Sequence, residues 1–286
     1  VHEYDNTSYK PTAYYYDGNT KVEIPSSDVT VAGGSAVNAG TYTASVPAQL
    51  NGHVLTNTTV SFSIAKRTVY IEIGDIGTRY GEVPNMSAVS WKYLYGDAEK
   101  QFLAGERYTI TFTCEADSTS AVGTYPVSGH FVAANARNYE VIFVGSYASA
   151  SAETNGKYGT LTIEKATYDM SKVTYVGTEV TYDGAAHVIT LSGLPVGLTS
   201  ANYECVYSSA DGWKVTEAIS AGVYNVTITF KGLDTENYEP VEALTATLTI
   251  KKAALIVTAN DHTVIYGETA TANGVSYEGF VTGSGT

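Results

Sequence analysis

The sequence is poor in the residues from which covalent frameworks and metal sites are built. Its 286 residues include two cysteines and two methionines, and no Cys-x-x-Cys or His-x-x-x-His spacing occurs. A disulfide scaffold and a zinc site are therefore not expected, and neither is any other metal or cofactor. No run of about 18 consecutive apolar residues is present, so no segment is predicted to span a membrane as a helix.

Positive charge is also scarce. The chain carries 16 Lys and Arg against 29 Asp and Glu, which gives a net charge of −13. Such a surface repels the phosphates of nucleic acid and of anionic lipids, so neither is an expected partner. The 24 tyrosines and the 44% of apolar residues favour strands and are enough for more than one hydrophobic core.

Common catalytic signals are missing as well. The sequence contains no Gly-x-Ser-x-Gly elbow and no phosphate-binding glycine loop followed by a helix. The 29 acidic residues show no pattern that fixes two carboxylates across a cleft. We therefore expect no catalytic residues and no enzymatic activity.

An internal repeat is the strongest feature that is present. Three segments close on the same strand-like phrase, at Phe62–Lys66, Leu161–Lys165 and Leu248–Lys252. A Gly-x-Tyr motif precedes each phrase, at Gly40–Tyr42, Gly123–Tyr125 and Gly222–Tyr224. The closing lysines lie 99 and 87 positions apart, which is the size of a small β-sandwich module.

The openings of the segments are of two kinds. The first and third carry Tyr-Asp-Gly, at Tyr16–Gly18 and Tyr182–Gly184, whereas the second and fourth carry Tyr-Gly-Glu, at Tyr80–Glu82 and Tyr266–Glu268. This order predicts four units, the last one truncated: repeat A (1–66), repeat B (67–165), repeat A′ (166–252) and repeat B′ (253–286).

Apolar and polar residues alternate with a period of two inside the repeats, as at Val69, Ile71 and Ile73. Asn-Gly and Asp-Gly turn signals separate these runs. The pattern predicts an all-β fold of tandem β-sandwich modules, immunoglobulin-like or β-grasp-like. Because neither Gly nor Pro separates repeat A from repeat B at Lys66–Thr68, we expect stiff joints and an elongated rod.

At these residues the sequence resembles two bacterial surface repeats, the YDG type and the MBG domain of YGX type, which occur in tandem in large adhesin-like proteins. Repeats A and A′ resemble the YDG type, and repeat B′ resembles the start of the YGX type. Repeat B carries the YGX pattern at Tyr80–Glu82, Gly123–Pro126, Asn138-Tyr139 and Gly159–Ile163. The resemblance implies an extracellular protein at the bacterial cell surface, attached to the wall or secreted, with modules that act as stalk or adhesion units.

Aromatic residues that do not recur are the candidates for a binding site. Trp91, Tyr93 and Tyr95 lie two positions apart, so a strand would place all three on one face, where flat rings can stack on a sugar. Repeat B′ has Tyr277 at the position of Trp91, so core packing is the alternative for Trp91. Trp213 follows an Asp-Gly turn signal and is expected to be partly exposed.

The residues that recur are expected to be structural. Tyr42, Tyr125 and Tyr224 predict a corner in which each hydroxyl bonds to a nearby backbone group. Cys114 and Cys205 lie in different repeats, so we expect separate buried thiols, with a disulfide as the alternative.

Three functions are consistent with this pattern. The first is a structural spacer in a surface protein, and the second is an adhesin module that binds a glycan or a host glycoprotein through surface aromatics. The third is an accessory region of a secreted polysaccharide-degrading enzyme. Since the chain starts at Val1 and not at a methionine, we expect a piece of a longer protein that is monomeric within it. Asp75 and Asp261 occupy matching turns, where Ca²⁺ between modules is the alternative to solvated carboxylates.

Overall fold

The computed structural model of the chain describes residues 2–149, 151, 156–269, 271 and 274–281. The fold is all-β, with 45% of residues in strands arranged in several sheets, which is compatible with a β-sandwich. Helical structure in the described part is limited to short 3-10 turns, at Ser26–Asp28, Met86–Ala88, Ala98–Lys100, Ala136–Asn138 and Ser200–Asn202. No helix in that part is long and apolar enough to cross a membrane. The predicted all-β fold class is confirmed.

The chain divides into two compact units, residues 1–164 and 165–286. The first unit opens with repeat A, whose strands are β1 (His2–Glu3), β2 (Ala13–Asp17), β3 (Thr20–Ile24), β4 (Thr30–Val31), β5 (Gly40–Ser45), β6 (Gln49–Leu50), β7 (His53–Val54) and β8 (Thr59–Ala65). Repeat B follows with β9 (Arg67–Ile73), β10 (Ile76–Arg79), β11 (Trp91–Tyr93), β12 (Tyr108–Thr113), β13 (Gly123–Ala133), β14 (Tyr139–Val144) and β15 (Gly159–Glu164).

The second unit contains repeats A′ and B′. Its strands are β16 (Thr174–Val176), β17 (Glu179–Thr181), β18 (Thr190–Ser192), β19 (Tyr203–Ser209), β20 (Lys214–Val215), β21 (Gly222–Phe230), β22 (Leu244–Lys251), β23 (Ile256–Ala259) and β24 (Val275–Glu278). The last two form a hairpin whose described side chains are exposed.

The same sheet occurs in repeats A, B and A′. In each, the strand that leads into the opening tyrosine motif (β1, β10 or β17) runs parallel to the closing strand, which pairs antiparallel with the Gly-x-Tyr strand. The strand orders are β1-β8-β5-β4, β10-β15-β13-β12 and β17-β22-β21-β19-β20. The registers also agree, because the motif glycine lies opposite the isoleucine of the closing phrase in all three: Gly40 and Ile64, Gly123 and Ile163, Gly222 and Ile250. The predicted internal repeat is therefore visible in the strand pairing.

The predicted tyrosine corner is confirmed in all three sheets. Each motif tyrosine donates its hydroxyl to the carbonyl four residues earlier, Tyr42 to Asn38, Tyr125 to Ala121 and Tyr224 to Ser220, at 2.7, 2.7 and 2.8 Å. This bond fixes the ring against the start of its strand, which explains why tyrosine recurs where phenylalanine would fill the same space.

The position of the opening motif in repeat A differs from the prediction. Tyr80 and Tyr182 each donate their backbone N–H to the residue after the closing isoleucine, at 2.9 and 2.8 Å. In repeat A this bond is made by Tyr4, to Ala65 at 3.0 Å, and not by Tyr16. Tyr16 lies near the end of β2, where Asp17 and Gly18 begin the turn to β3. The assignment of Tyr16–Gly18 as the counterpart of Tyr182–Gly184 is therefore wrong.

The bonds that follow the motif support the same correction. Five residues after Tyr4, Tyr9 donates its N–H to Ala36 at 2.8 Å. Five residues after Tyr182, His187 donates its N–H to Ala218 at 2.9 Å. Repeat A therefore opens on Tyr4-Asp5-Asn6, with Asn6 at a φ of 62° in the left-handed region that glycine and asparagine favour.

Repeat B has a second sheet, of order β11-β9-β14. The central strand β9 pairs antiparallel with β11 and parallel with β14. Val69, Ile71 and Ile73 of β9 are buried, as their alternation predicts. They pack between this sheet and the four-stranded one, so β9 supplies the centre of the repeat B core.

Repeats A and B share one hydrophobic core. Its buried members are Tyr4, Val31, Ala36 and Ile64 from repeat A with Val69, Ile71, Phe102 and Tyr139 from repeat B. Only Lys66 separates β8 from β9. The covalent joint and the shared core together hold the two repeats as one body in the first unit.

Candidate functional site

Trp91 and Tyr93 pack onto the core of the first unit. They lie on β11, opposite Ile73 and Ile71 of β9, and both rings are half-buried. The ring of Trp91 meets that of Tyr93 edge-on, with centroids 5.5 Å apart. The Tyr93 hydroxyl bonds to the hydroxyl of Tyr108 at 3.0 Å, and burial together with this bond raises the pKa of Tyr93. Both rings therefore take part in core packing, which is the alternative that the sequence left open for Trp91.

Tyr95 lies apart from that pair. β11 ends at Tyr93, and the ring of Tyr95 packs edge-on against Tyr70, at 5.1 Å between centroids. Because Tyr70 alternates with Val69 and Ile71 along β9, it points to the opposite face of that strand. The expectation that three aromatic rings share one face is therefore wrong for Tyr95.

Trp213 meets solvent, as expected, and is more exposed than the other candidate aromatics, of which Tyr95 is also exposed. It lies in the turn between β19 and β20, and 77% of its surface is exposed. The turn is held by its backbone, since the Ser209 N–H donates to the Trp213 carbonyl at 2.8 Å. Trp213 belongs to the second unit, whereas the other three candidates belong to the first.

A cleft of about 480 Å³ lies beside Tyr93 in the first unit. Its lining includes Arg67, Gln101, Phe102, Glu106 and Tyr108. Arg67 is 9% exposed and donates from Nε to the Gln101 carbonyl at 2.8 Å and from a terminal nitrogen to the Ala98 carbonyl. Two of its donors therefore hold the turn Ala98–Lys100 and the residue after it.

Glu106 is the acidic group of the same cleft. It accepts hydrogen bonds from the hydroxyl of Tyr4, at 2.7 Å, and from that of Tyr139. Burial alone would raise the pKa of Glu106, but the two tyrosine hydroxyls, Asn135 and the charge of Arg67 together keep its pKa below the usual value. Conversely, burial and the neighbouring carboxylate raise the pKa values of Tyr4 and Tyr139.

A second polar bridge lies nearby. Asn138 is fully buried, its side-chain amide donates to Oδ1 of Asn38 at 2.9 Å, and its own Oδ1 accepts from the Ala39 N–H at 2.9 Å. Both bridges join repeat A to repeat B. We name the five side chains that form them, Tyr4, Asn38, Glu106, Asn138 and Tyr139, the inter-repeat latch. The structural consequence of these polar groups is to fix one repeat on the other.

Other candidate groups from the sequence are engaged within single repeats. Asp75 accepts from the Ser146 hydroxyl and from the Thr160 N–H, the latter at 3.0 Å. Among the described residues, no group of three or more His, Cys, Asp or Glu gathers where a metal ion could bind. Cys114 and Cys205 are separate free thiols, as expected, but both are half-buried and not fully buried.

The latch was not predicted from the sequence, although two of its members were visible there. Asn138 and Tyr139 are part of the YGX pattern. No family model matches the sequence, and no curated protein matches it.

Proposed function

We propose that the chain is a non-enzymatic stalk or spacer segment of an exported, adhesin-like protein of the bacterial cell surface. YDG-type and YGX-type repeats follow one another in it as an elongated rod. The observation that carries this proposal is the inter-repeat latch together with the shared core beneath it. A spacer must resist bending, and in the first unit the bonds of the buried Asn138 and the bond from Tyr4 to Glu106 connect repeat A to repeat B.

The energetics of the joint between repeats A and B support the spacer proposal. Hydrogen bonds to a charged group contribute roughly 1.5–3 kcal/mol each when they are buried, and Glu106 accepts two of them. Bending between repeats A and B would break the bond from Tyr4, which joins the two repeats, and would expose Ile71 and Tyr139 of the shared core. Because β8 and β9 are separated by Lys66 alone, the backbone supplies little slack for such a motion.

Small-angle X-ray scattering on the full chain tests the rod. A compact body of 286 residues has a radius of gyration of about 19 Å. We expect a value well above this and an asymmetric pair-distance distribution, measured at dilutions where the chain is monomeric. A symmetric distribution with a radius near the compact value would contradict the proposal.

A second function, glycan binding by an adhesin module, is favoured by the exposure of Trp213. A tryptophan that is 77% exposed on a turn is available for stacking on a sugar. A glycan array with the wild-type chain and Trp213→Ala tests this function. Binding that is lost in the variant supports it, and an array without signal, or a signal that survives Trp213→Ala, removes Trp213 as the binding residue.

A further inference from the structure

Part of the Arg67 side chain remains available in the cleft beside Tyr93. Arg67 is 9% exposed, and its Nε and one terminal nitrogen donate to the Gln101 and Ala98 carbonyls. The other terminal nitrogen, Nη1, has no hydrogen-bond partner among the described residues. It is not one of the buried side-chain atoms that lack a partner, so solvent reaches it. Because Arg67 lines the cleft, the N–H groups of Nη1 can donate to a ligand there.

Glu106 supplies the matching acceptor in the same cleft. Its two carboxylate oxygens accept from the hydroxyls of Tyr4 and Tyr139. An ionised carboxylate has about four acceptor sites, and those hydroxyls and the Asn135 side chain use at most three of them. Since Glu106 also lines the cleft, an acceptor site is left for a ligand that enters it.

Three aromatic rings, those of Tyr93, Phe102 and Tyr108, contribute apolar surface to the lining. The hydroxyls of Tyr93 and Tyr108 bond to each other at 3.0 Å, and the one that accepts keeps its own hydrogen for a further acceptor. Ala104 and Gly105 are exposed, so the cleft opens to solvent beside them. Its volume of about 480 Å³ lies in the range of about 300–1,000 Å³ that is typical of sites in which apolar walls and a few polar groups hold a small molecule.

The polar groups of the cleft are a property of repeat B and not of the shared fold. The parallel pairing that places Tyr139 opposite Arg67 has its counterpart in repeat A′, where the residue in the place of Arg67 is Ala166. The register of the Gly-x-Tyr strand with its neighbour likewise aligns Tyr108 with Ala201. Burying a charged side chain costs free energy, and repeat A′ forms its sheet without one at this place. Arg67 and Tyr108 are therefore candidates for a function that belongs to repeat B alone.

The charges of the cleft indicate the class of ligand. The positive charge of Arg67 helps to lower the pKa of Glu106, so at neutral pH the cleft holds one cation and one anion. A ligand with a net charge of either sign would be attracted by one group and repelled by the other. A pyranose sugar is uncharged, its hydroxyls both donate and accept, and its C–H faces pack on aromatic rings.

We propose that this cleft of repeat B is a binding site for an uncharged sugar, a hexose or N-acetylhexosamine at the end of a glycan. Nη1 of Arg67 and the hydroxyl pair of Tyr93 and Tyr108 donate to the sugar, and Glu106 accepts from it. The site goes beyond the spacer function and requires neither the rod nor Trp213, so its failure would leave the spacer proposal intact.

The fluorescence of Trp91 provides a readout close to the cleft. The chain has two tryptophans, and Trp213→Phe leaves Trp91, whose ring centroid lies 5.5 Å from that of Tyr93 and 6.3 Å from that of Tyr108. This variant is titrated with the methyl glycosides of glucose, galactose, mannose and N-acetylglucosamine. We expect saturable binding of at least one of them, with a dissociation constant in about the millimolar range.

Saturation-transfer difference NMR with the wild-type chain detects binding that leaves the emission of Trp91 unchanged. If none of the four glycosides gives a signal by either method up to its solubility limit, the proposal is overturned.

Two variants test whether the cleft is the site. Ala104→Phe places a ring at the exposed mouth of the cleft and should weaken binding at least about ten-fold. Tyr108→Phe removes one hydroxyl and keeps the ring, and it should weaken binding about five-fold. Ala48→Phe and Tyr16→Phe are the matched controls, at exposed positions outside the cleft, and should bind like the parent chain. Affinity that is unchanged in both Ala104→Phe and Tyr108→Phe would exclude the cleft, and thermal unfolding verifies that each variant has folded.

Two further outcomes would contradict the assignment. Binding that the wild type shows and Trp213→Phe loses would place the sugar at Trp213, as in the second candidate function, and not in the cleft. Methyl glucuronide and glucosamine, tested beside the uncharged glycosides, carry a negative and a positive charge. Binding of either charged sugar without binding of any uncharged one would overturn the proposed ligand class.

Discussion

β9 and β23 are the same element of two repeats and have opposite environments. β9 alternates between buried and half-buried residues along its whole length, whereas the four residues of β23 are all exposed. In both strands apolar residues alternate or cluster, as is typical of strands. Each strand also pairs antiparallel with the next strand of its repeat. The difference shows that local pattern determines the strand, while burial requires partners on its second edge and its faces.

Strand β9 has such partners on its second edge and on its faces. β14 pairs with its second edge, the four-stranded sheet covers one face, and repeat A contributes Tyr4 and Ile64 to the core around it. The inter-repeat latch then fixes repeat A in place. Among the described residues of repeat B′, only β24 pairs with β23.

Truncating the central side chain of β9 and of β23 should give the largest difference in the free energy of unfolding between the two strands. Ile71→Ala removes a fully buried side chain and should lower the free energy of unfolding of the first unit by about 3 kcal/mol. Val257→Ala, at the aligned position of β23, should cost less than about 0.5 kcal/mol. Urea unfolding of dilute protein, followed by tryptophan fluorescence, measures both. Equal losses would show that β23 is buried in solution.

The inter-repeat latch should contribute less to the free energy of unfolding than the Ile71 side chain does, and its contribution should depend on pH. Glu106→Gln keeps the shape but removes the charge that two tyrosine hydroxyls stabilise, at a cost of about 2 kcal/mol at pH 7. The folded-state pKa of Glu106 is lowered, so its contribution is present above the unfolded value of about 4.3 and is lost as the pH falls through the folded pKa.

The difference in unfolding free energy between wild type and Glu106→Gln should therefore shrink as the pH is lowered from 7 towards 3. Other carboxylates titrate in the same range, and comparison of the two proteins cancels their effects. Glu99→Gln, at an exposed position, serves as the control and should behave as the wild type. A difference that does not change with pH would mean that the Glu106 charge does not hold the repeats together.

The strand content, the repeat and the tyrosine corner could be predicted because each is a local pattern repeated along the chain. The opening of repeat A was missed because Asn6 adopts the left-handed conformation that Gly184 adopts in repeat A′, and a search for Tyr-Asp-Gly selects Tyr16–Gly18 instead. The latch was missed for another reason. Glu106 lies 102 residues from Tyr4, so the contact between them leaves no pattern along the sequence.

Removing a tyrosine-corner hydroxyl should give the smallest change in the free energy of unfolding. The change tests the four-stranded sheet of repeat B, which packs against β9. Tyr125→Phe removes the hydroxyl that donates to Ala121 and should lower the free energy of unfolding of the first unit by about 1 kcal/mol. Tyr16→Phe is the matched control, since Tyr16 is largely exposed and outside the corner, and its effect should be close to zero. Urea unfolding measures both variants. If Tyr16→Phe cost as much as Tyr125→Phe, the loss could not be assigned to the corner hydrogen bond, and the structural role given to the Tyr125 hydroxyl would fail.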